Sequence, residues 1–141
     1  MEERCYAYWL ANISGVGCRT IHQLRKYCGS ARELYRMGAK ALLGIYGIGE
    51  GTAARICESK KQWDLEGAWE MLGSKGISFV SMEEDGYPKR LREIYDPPYA
   101  LYFIGGLPRE EIKTVGIVGA RTCSAYGRDV ALAAGKCLAS C

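Results

Sequence analysis

The sequence has no hydrophobic run approaching the roughly 20 residues that span a bilayer, and its start, Met1-Glu2-Glu3-Arg4, lacks the apolar stretch of a secretory leader. Both absences point to a cytoplasmic protein with no membrane partner. Histidine occurs once, as His22, and the seven cysteines, at 5, 18, 28, 57, 123, 137 and 141, include no CxxC pair. A structural zinc site therefore lacks its ligand spacing. An odd cysteine count without an export signal also argues against a disulfide framework, which leaves small, reduced, buried cysteines as the expectation. The dinucleotide fingerprint G-x-G-x-x-G is missing too, and no cofactor or metal is expected.

What is present is an ordinary globular composition, 48% hydrophobic and 25% charged over 141 residues, which excludes a disordered or fibrous chain. Glycine is abundant at 18 residues, well above the usual share of about 7%, and it clusters at turns. The net charge of +3 is uneven. Residues 1–63 hold ten Lys and Arg against five Asp and Glu, and residues 64–141 hold nine against eleven. The first stretch, at +5, is the better candidate for a polyanion partner, although a solvated face explains such a charge equally well.

Up to about residue 75 the pattern is helical. It predicts a short buried helix over Cys5 to Asn12, a helix from Arg19 to Cys28, and one opened by the capping box Ser30-Ala31-Arg32-Glu33. A short helix at 39–43 and a longer one ending near Lys60 follow. Asp64 then caps a helix whose Leu65, Ala68, Trp69 and Leu72 share one face. Tyr6, Tyr8, Trp9, Trp63 and Trp69 lie at helical spacings that suit core packing more than base stacking. After Gly73 to Gly76, where the domain boundary is placed, the period changes. Ile77 to Met82 and Tyr99 to Ile104 read as strands, with a short helix between them from Lys89 to Ile94. Thr114 to Val118 reads as a third strand, fully apolar and so buried on both faces. A last helix carries Val130, Ala134, Cys137, Leu138 and Cys141 on one face.

Two segments carry candidate chemistry. Residues 13–24 and 45–56 align without a gap at an offset of 32, matching Ile13 with Ile45, Gly15 with Gly47, Val16 with Ile48, Gly17 with Gly49 and Thr20 with Thr52. The spacing resembles the helix-hairpin-helix motif, in which two glycines allow a tight turn and the next helix N-terminus offers backbone N–H groups to a phosphate. Gly15, Gly17, Arg19, Gly47, Gly49 and Thr52 are thus possible secondary DNA contacts. Glu50, which would repel phosphate beside the second turn, keeps a purely structural role open. The second segment is Val115-Gly116-Ile117-Val118-Gly119-Ala120-Arg121, a strand feeding a tight turn and a helix, as a doubly wound sheet begins. Gly119, Ala120, Arg121, Ser124, Tyr126 and Gly127 form the candidate phosphate site, a guanidinium beside the free N–H groups of a helix start. The alternative for Arg121 is a surface ion pair.

The ordered series Gly86-Tyr87-Pro88, Leu91, Ile94, Asp96-Pro97-Pro98, Leu101-Tyr102 and Gly105, followed by Val115 to Arg121 and then Ser124, Tyr126 and Gly127, resembles the DNA-processing protein A (DprA/Smf) family. The resemblance implies an α + α/β chain: a helical, helix-hairpin-helix or SAM-like domain over 1–75, then over 76–141 the first, incomplete part of a Rossmann-like parallel-sheet domain. It implies an N-terminal fragment of a bacterial cytoplasmic protein of natural transformation. Such a protein binds and protects incoming single-stranded DNA, assists loading of the RecA recombinase, forms a homodimer when complete, and catalyses no reaction. It places the DNA site at Gly119-Ala120-Arg121, with Ser124 assisting, and makes Tyr87-Pro88 and Asp96-Pro97-Pro98 structural. Two alternatives stay open. One is a nucleotide-binding enzyme of the lysine-decarboxylase-like class, which would need Asp129, Glu110 or Glu111 as its acid or base. The other is a helical interaction module without DNA contact.

Overall fold

The structure, a computed structural model, describes residues 2–140, so the placement of Cys141 on the last helix lies outside the described residues. Helices α1 (Glu3–Ala11), α2 (Cys18–Tyr27), α3 (Ala31–Arg36), α4 (Ala39–Leu43), α5 (Glu50–Gln62) and α6 (Leu65–Ser74) come first. Strand β1 (Ser78–Ser81), helix α7 (Lys89–Arg92), strand β2 (Ala100–Phe103) and helix α8 (Ala125–Ala139) complete the order. The predicted caps form: Ser30 Oγ accepts from Glu33 N–H at 3.0 Å, and Asp64 accepts from Gly67 N–H at 3.1 Å. Glu33 reaches back one residue further than a capping box requires, to Gly29 N–H at 2.8 Å.

Two compact units divide at Met1–Pro108 and Arg109–Cys141. The first therefore keeps both strands with the helices, although the chain changes from helix to strand near Gly76. Its core centres on α1, whose fully buried Trp9 and Leu10 pack with Leu24, Leu34, Leu42, Ile56 and Phe79. Trp9 Nε1–H donates to Ser59 Oγ at 3.0 Å, so the indole is buried with its polar handle satisfied. Tyr8 meets Trp63, Trp69 and Phe79 edge-on at centroid distances of 5.5, 5.6 and 5.5 Å, as core packing of these aromatics predicts. Arg4 binds β1 to α1, donating to the Phe79 carbonyl at 2.6 Å and pairing with Glu84 at 2.7 Å.

Two expectations about the sheet do not hold among the described residues. The strands pair antiparallel, Ser78 opposite Phe103 and Ser81 opposite Ala100, not parallel. A parallel return needs a crossover of a dozen or more residues, usually a helix lying on the sheet, and the four-residue α7 is too short for that role. Thr114 to Val118 also forms no strand, and Val118 is 94% exposed. A buried parallel strand exists only between hydrogen-bonded neighbours, and no described segment supplies them. For the same reason the apolar face of α8 is not buried: Val130, Cys137 and Leu138 stay exposed and Ala134 is half-buried. Of the cysteines expected to be buried, Cys5 and Cys28 are, Cys18 and Cys57 are half-buried, and Cys123 and Cys137 are exposed.

Candidate nucleic-acid interface

In the second unit, residues 111–120 are irregular and exposed, and Ser124 caps α8. Its Oγ accepts from Gly127 N–H at 3.1 Å and its carbonyl from Arg128 N–H at 3.1 Å. The cap satisfies the third N–H of the helix and leaves those of Ala125 and Tyr126 with no acceptor among the described residues. An open helix N-terminus with two such donors carries the positive end of the helix dipole. Gly119, Ala120, Arg121, Ser124 and Tyr126 are all exposed and contiguous with it, and Gly127 is half-buried. No ion pair holds Arg121 among the described residues. Residues 109–140 hold five Lys and Arg against Glu110, Glu111 and Asp129, so this unit is cationic although the sequence from residue 64 onward is not.

The repeated segments take the same backbone. Gly15 and Gly47 have φ of +73° and +79°, the left-handed region that favours glycine. Val16 N–H donates to the Ile13 carbonyl and Ile48 N–H to the Ile45 carbonyl, both at 3.1 Å. Ile13, Val16, Ile45 and Ile48 are buried, and Gly17 and Gly49 occupy the N-caps of α2 and α5. Each turn is held by the helix of the other copy. Arg55 donates to the Gly15 carbonyl at 3.2 Å, and Gln23 donates to the Tyr46 carbonyl. Gln23 and Arg55 are themselves 32 residues apart, the offset of the repeat, so the two hairpins brace one another nearly symmetrically.

The helix starts in these hairpins are poorly suited to an anion. At α2, the loop 95–99 lies against the first turn and Arg19 pairs with Asp96 at 3.2 Å. At α5, Glu50 is the first residue of the helix, with Thr52 half-buried behind it. The loop is held by a clasp that the sequence did not announce. Tyr99 N–H donates to Cys18 Sγ at 3.1 Å, and the Pro97 carbonyl accepts from Cys18 Sγ–H at 2.9 Å and lies 2.8 Å from His22 Nε2. A carbonyl only accepts, so this contact requires the proton on Nε2. Burial pushes the Cys18 thiol pKa up, keeping it protonated as the donor it must be. Tyr87, almost wholly buried, donates its hydroxyl to the Pro98 carbonyl at 2.6 Å, so the Tyr87-Pro88 and Asp96-Pro97-Pro98 motifs brace each other. Sequence reasoning also missed three exposed tyrosines, Tyr27, Tyr46 and Tyr95, around a groove beside α2. Helical spacing singles out aromatics that face a core, and these sit at a helix end and in two loops.

The model of the family described as DNA recombination-mediator protein A matches residues 78–141. A protein Smf of Synechocystis is 29% identical over 127 residues, covering 86% of this chain and 32% of the relative. Over these segments the chain is similar to proteins of the DprA/Smf family. The DNA processing protein DprA of Bacillus subtilis is 37% identical over 57 residues, 40% of this chain and 19% of that protein. A protein Smf of Borreliella burgdorferi is 45% identical over 38 residues, 27% of this chain and 12% of the relative. The chain thus spans about a third of the length of the Synechocystis Smf. No solved structure gives a significant match. The DprA/Smf family segment contains the whole Gly119 to Gly127 turn, whereas both hairpins precede it.

Proposed function

We propose that this chain carries single-stranded DNA contacts of a recombination mediator in DNA uptake, with the backbone phosphate held at Arg121 and the start of α8. The observation that carries the reading is an exposed, unneutralised guanidinium just ahead in sequence of a helix start whose first two N–H groups have no acceptor among the described residues. Together they offer charge and directed donors to one phosphate. Their place inside the family-matched segment, and the similarity to the B. subtilis DNA processing protein DprA, support a DNA role for this turn. Gly119 and Ala120 let a strand approach the backbone, Ser124 holds the helix start in shape, and Tyr126 stands beside it.

In this reading residues 76–141 begin a Rossmann-like domain and residues 1–75 form a helix-hairpin-helix-like helical domain. The protein works in the cytoplasm, binds DNA without catalysing a reaction, and in its complete form partners RecA and a second copy of itself. The two hairpins serve as mutual braces, not as phosphate sites, because the loop 97–99 is bonded to Cys18 at the start of α2 and Glu50 sits at the start of α5. Fluorescence anisotropy of labelled oligo(dT) across a salt series tests the reading. A phosphate-dominated site gives log K falling linearly with log salt. A salt-independent affinity, or no binding at low salt, would refute it.

A further inference from the structure

The first unit carries a groove of about 830 Å³ between α2, the turn at Tyr46 and the loop 95–97, within the range of about 300–1,000 Å³ typical of ligand clefts. Its charged lining is Arg19, Arg25 and Lys26 against the single carboxylate of Asp96. Arg25 is committed to structure: it is bonded to Glu83 and donates to the carbonyls of Cys28 and Gly29 at 3.0 and 3.3 Å. Lys26 is exposed and has no partner among the described residues. Arg19 pairs with Asp96 while 75% exposed, a surface pair of little strength that a phosphate can replace.

Three tyrosines stand on the rim in the open. Tyr95 is 94% exposed, Tyr46 81% and Tyr27 57%. Arg19 already lies over the Tyr95 ring, 5.9 Å from its centroid. A large aromatic ring left in water is costly unless something covers it, and three around one cationic groove need a flat, apolar-faced, anionic occupant. Single-stranded nucleic acid has that chemistry, since its bases stack on aromatic rings while its phosphates meet Lys and Arg. An acidic peptide would match the cations but would leave the rings uncovered.

We infer that this groove is a second single-stranded nucleic-acid site, in which bases stack on Tyr27, Tyr46 and Tyr95 and phosphates meet Lys26 and Arg19. It differs from the Arg121 site in mechanism. Arg121 reads only phosphate, whereas the groove needs bases. The test compares the 141-residue chain on oligo(dT) with an abasic oligonucleotide of the same length, for wild type, Tyr46→Ala/Tyr95→Ala and Arg121→Ala, with circular dichroism reporting that each folds.

Wild type should bind oligo(dT) about fivefold or more better than the abasic strand, from stacking alone. The double tyrosine variant should bring that ratio close to one, and Arg121→Ala should weaken both strands while preserving it. A wild-type ratio near one overturns the groove and leaves the Arg121 reading standing, as does a ratio unchanged in the double variant. Absence of binding to either strand overturns both. Preference of the groove for polyglutamate over oligo(dT), lost in the double variant, overturns it in favour of an acidic protein partner.

Discussion

Replacing Gly47 with alanine separates the two glycines of a hairpin by what each must do. At φ +79° an L-residue meets its own backbone, at about 1–2 kcal/mol. The new Cβ would also collide with the side-chain amide of Gln23, displacing the hydrogen bond that holds the Tyr46 carbonyl, worth about 1 kcal/mol. The reduced freedom of the unfolded chain returns about 0.4–1 kcal/mol. Gly47→Ala should therefore destabilise by about 2 kcal/mol, a shift of roughly 1 M in urea midpoint at an m-value of about 2 kcal/mol/M. Gly49, two residues on, has φ −86° and open space around its Cβ position. There the loss of a favourable N-cap, of order 0.5–1 kcal/mol, is offset by the same unfolded-state gain, and the midpoint should barely move. In a Gln23→Ala background the Gly47→Ala penalty should be smaller, because the collision and the hydrogen bond it displaces are already gone. Urea unfolding followed by tryptophan fluorescence measures all five proteins: wild type, the three single variants and Gln23→Ala/Gly47→Ala. Equal midpoints for Gly47→Ala and Gly49→Ala would refute the claim that Gly47 is there for its backbone and its contact with α2.

Other substitutions address the braces. Tyr87→Phe leaves the Pro98 carbonyl without its 2.6 Å donor and should cost about 1–2 kcal/mol, read from the urea midpoint. Cys18→Ala removes both the acceptor of Tyr99 N–H and a donor to Pro97, so limited proteolysis should cut the loop 95–98 faster while the overall helix signal is kept. Tyr99 is buried with no hydrogen-bond partner for its hydroxyl among the described residues, and Tyr99→Phe should be neutral or stabilising at pH 7. Burial raises the Tyr99 pKa above its ordinary 10.0, so the folded state favours the protonated form. Its contribution is fully present below pH 10 and lost as pH rises beyond it. The urea midpoint should fall less between pH 9 and 11 in Tyr99→Phe than in wild type, with Tyr87, Tyr102 and the thiols of Cys5, Cys18 and Cys28, all raised by burial, contributing to the remaining slope.

Much of the helical layer was legible because its signals are local. The Ser30 and Asp64 caps, the repeated glycines and the i, i+3, i+4 spacing of α6 each act within one or two turns. The strands at 78–81 and 100–103 were legible for the same reason, but their pairing was not, since direction depends on the connection and α7 proved too short to cross over. The apolar segment 114–118 has a strand's composition without a strand's neighbours, and composition alone does not supply the ladder. At the site, the Ser124 cap and the open helix start could be anticipated from S-x-Y-G before an apolar helix. That Asp96 would reach Arg19, 77 residues away, or that Cys18 and His22 would hold Pro97, could not, because neither contact has a local pattern.

The account rests on Arg121 as the phosphate contact, and the salt dependence of oligo(dT) binding tests it most directly. Arg121→Ala should lower affinity at every salt concentration and reduce the slope of log K against log salt by about 0.7, the value for one phosphate on a single strand. Lys40→Ala, an exposed lysine on the short helix α4, should leave the slope unchanged. An identical slope and affinity in Arg121→Ala, or an equal loss in both variants, would contradict the assignment.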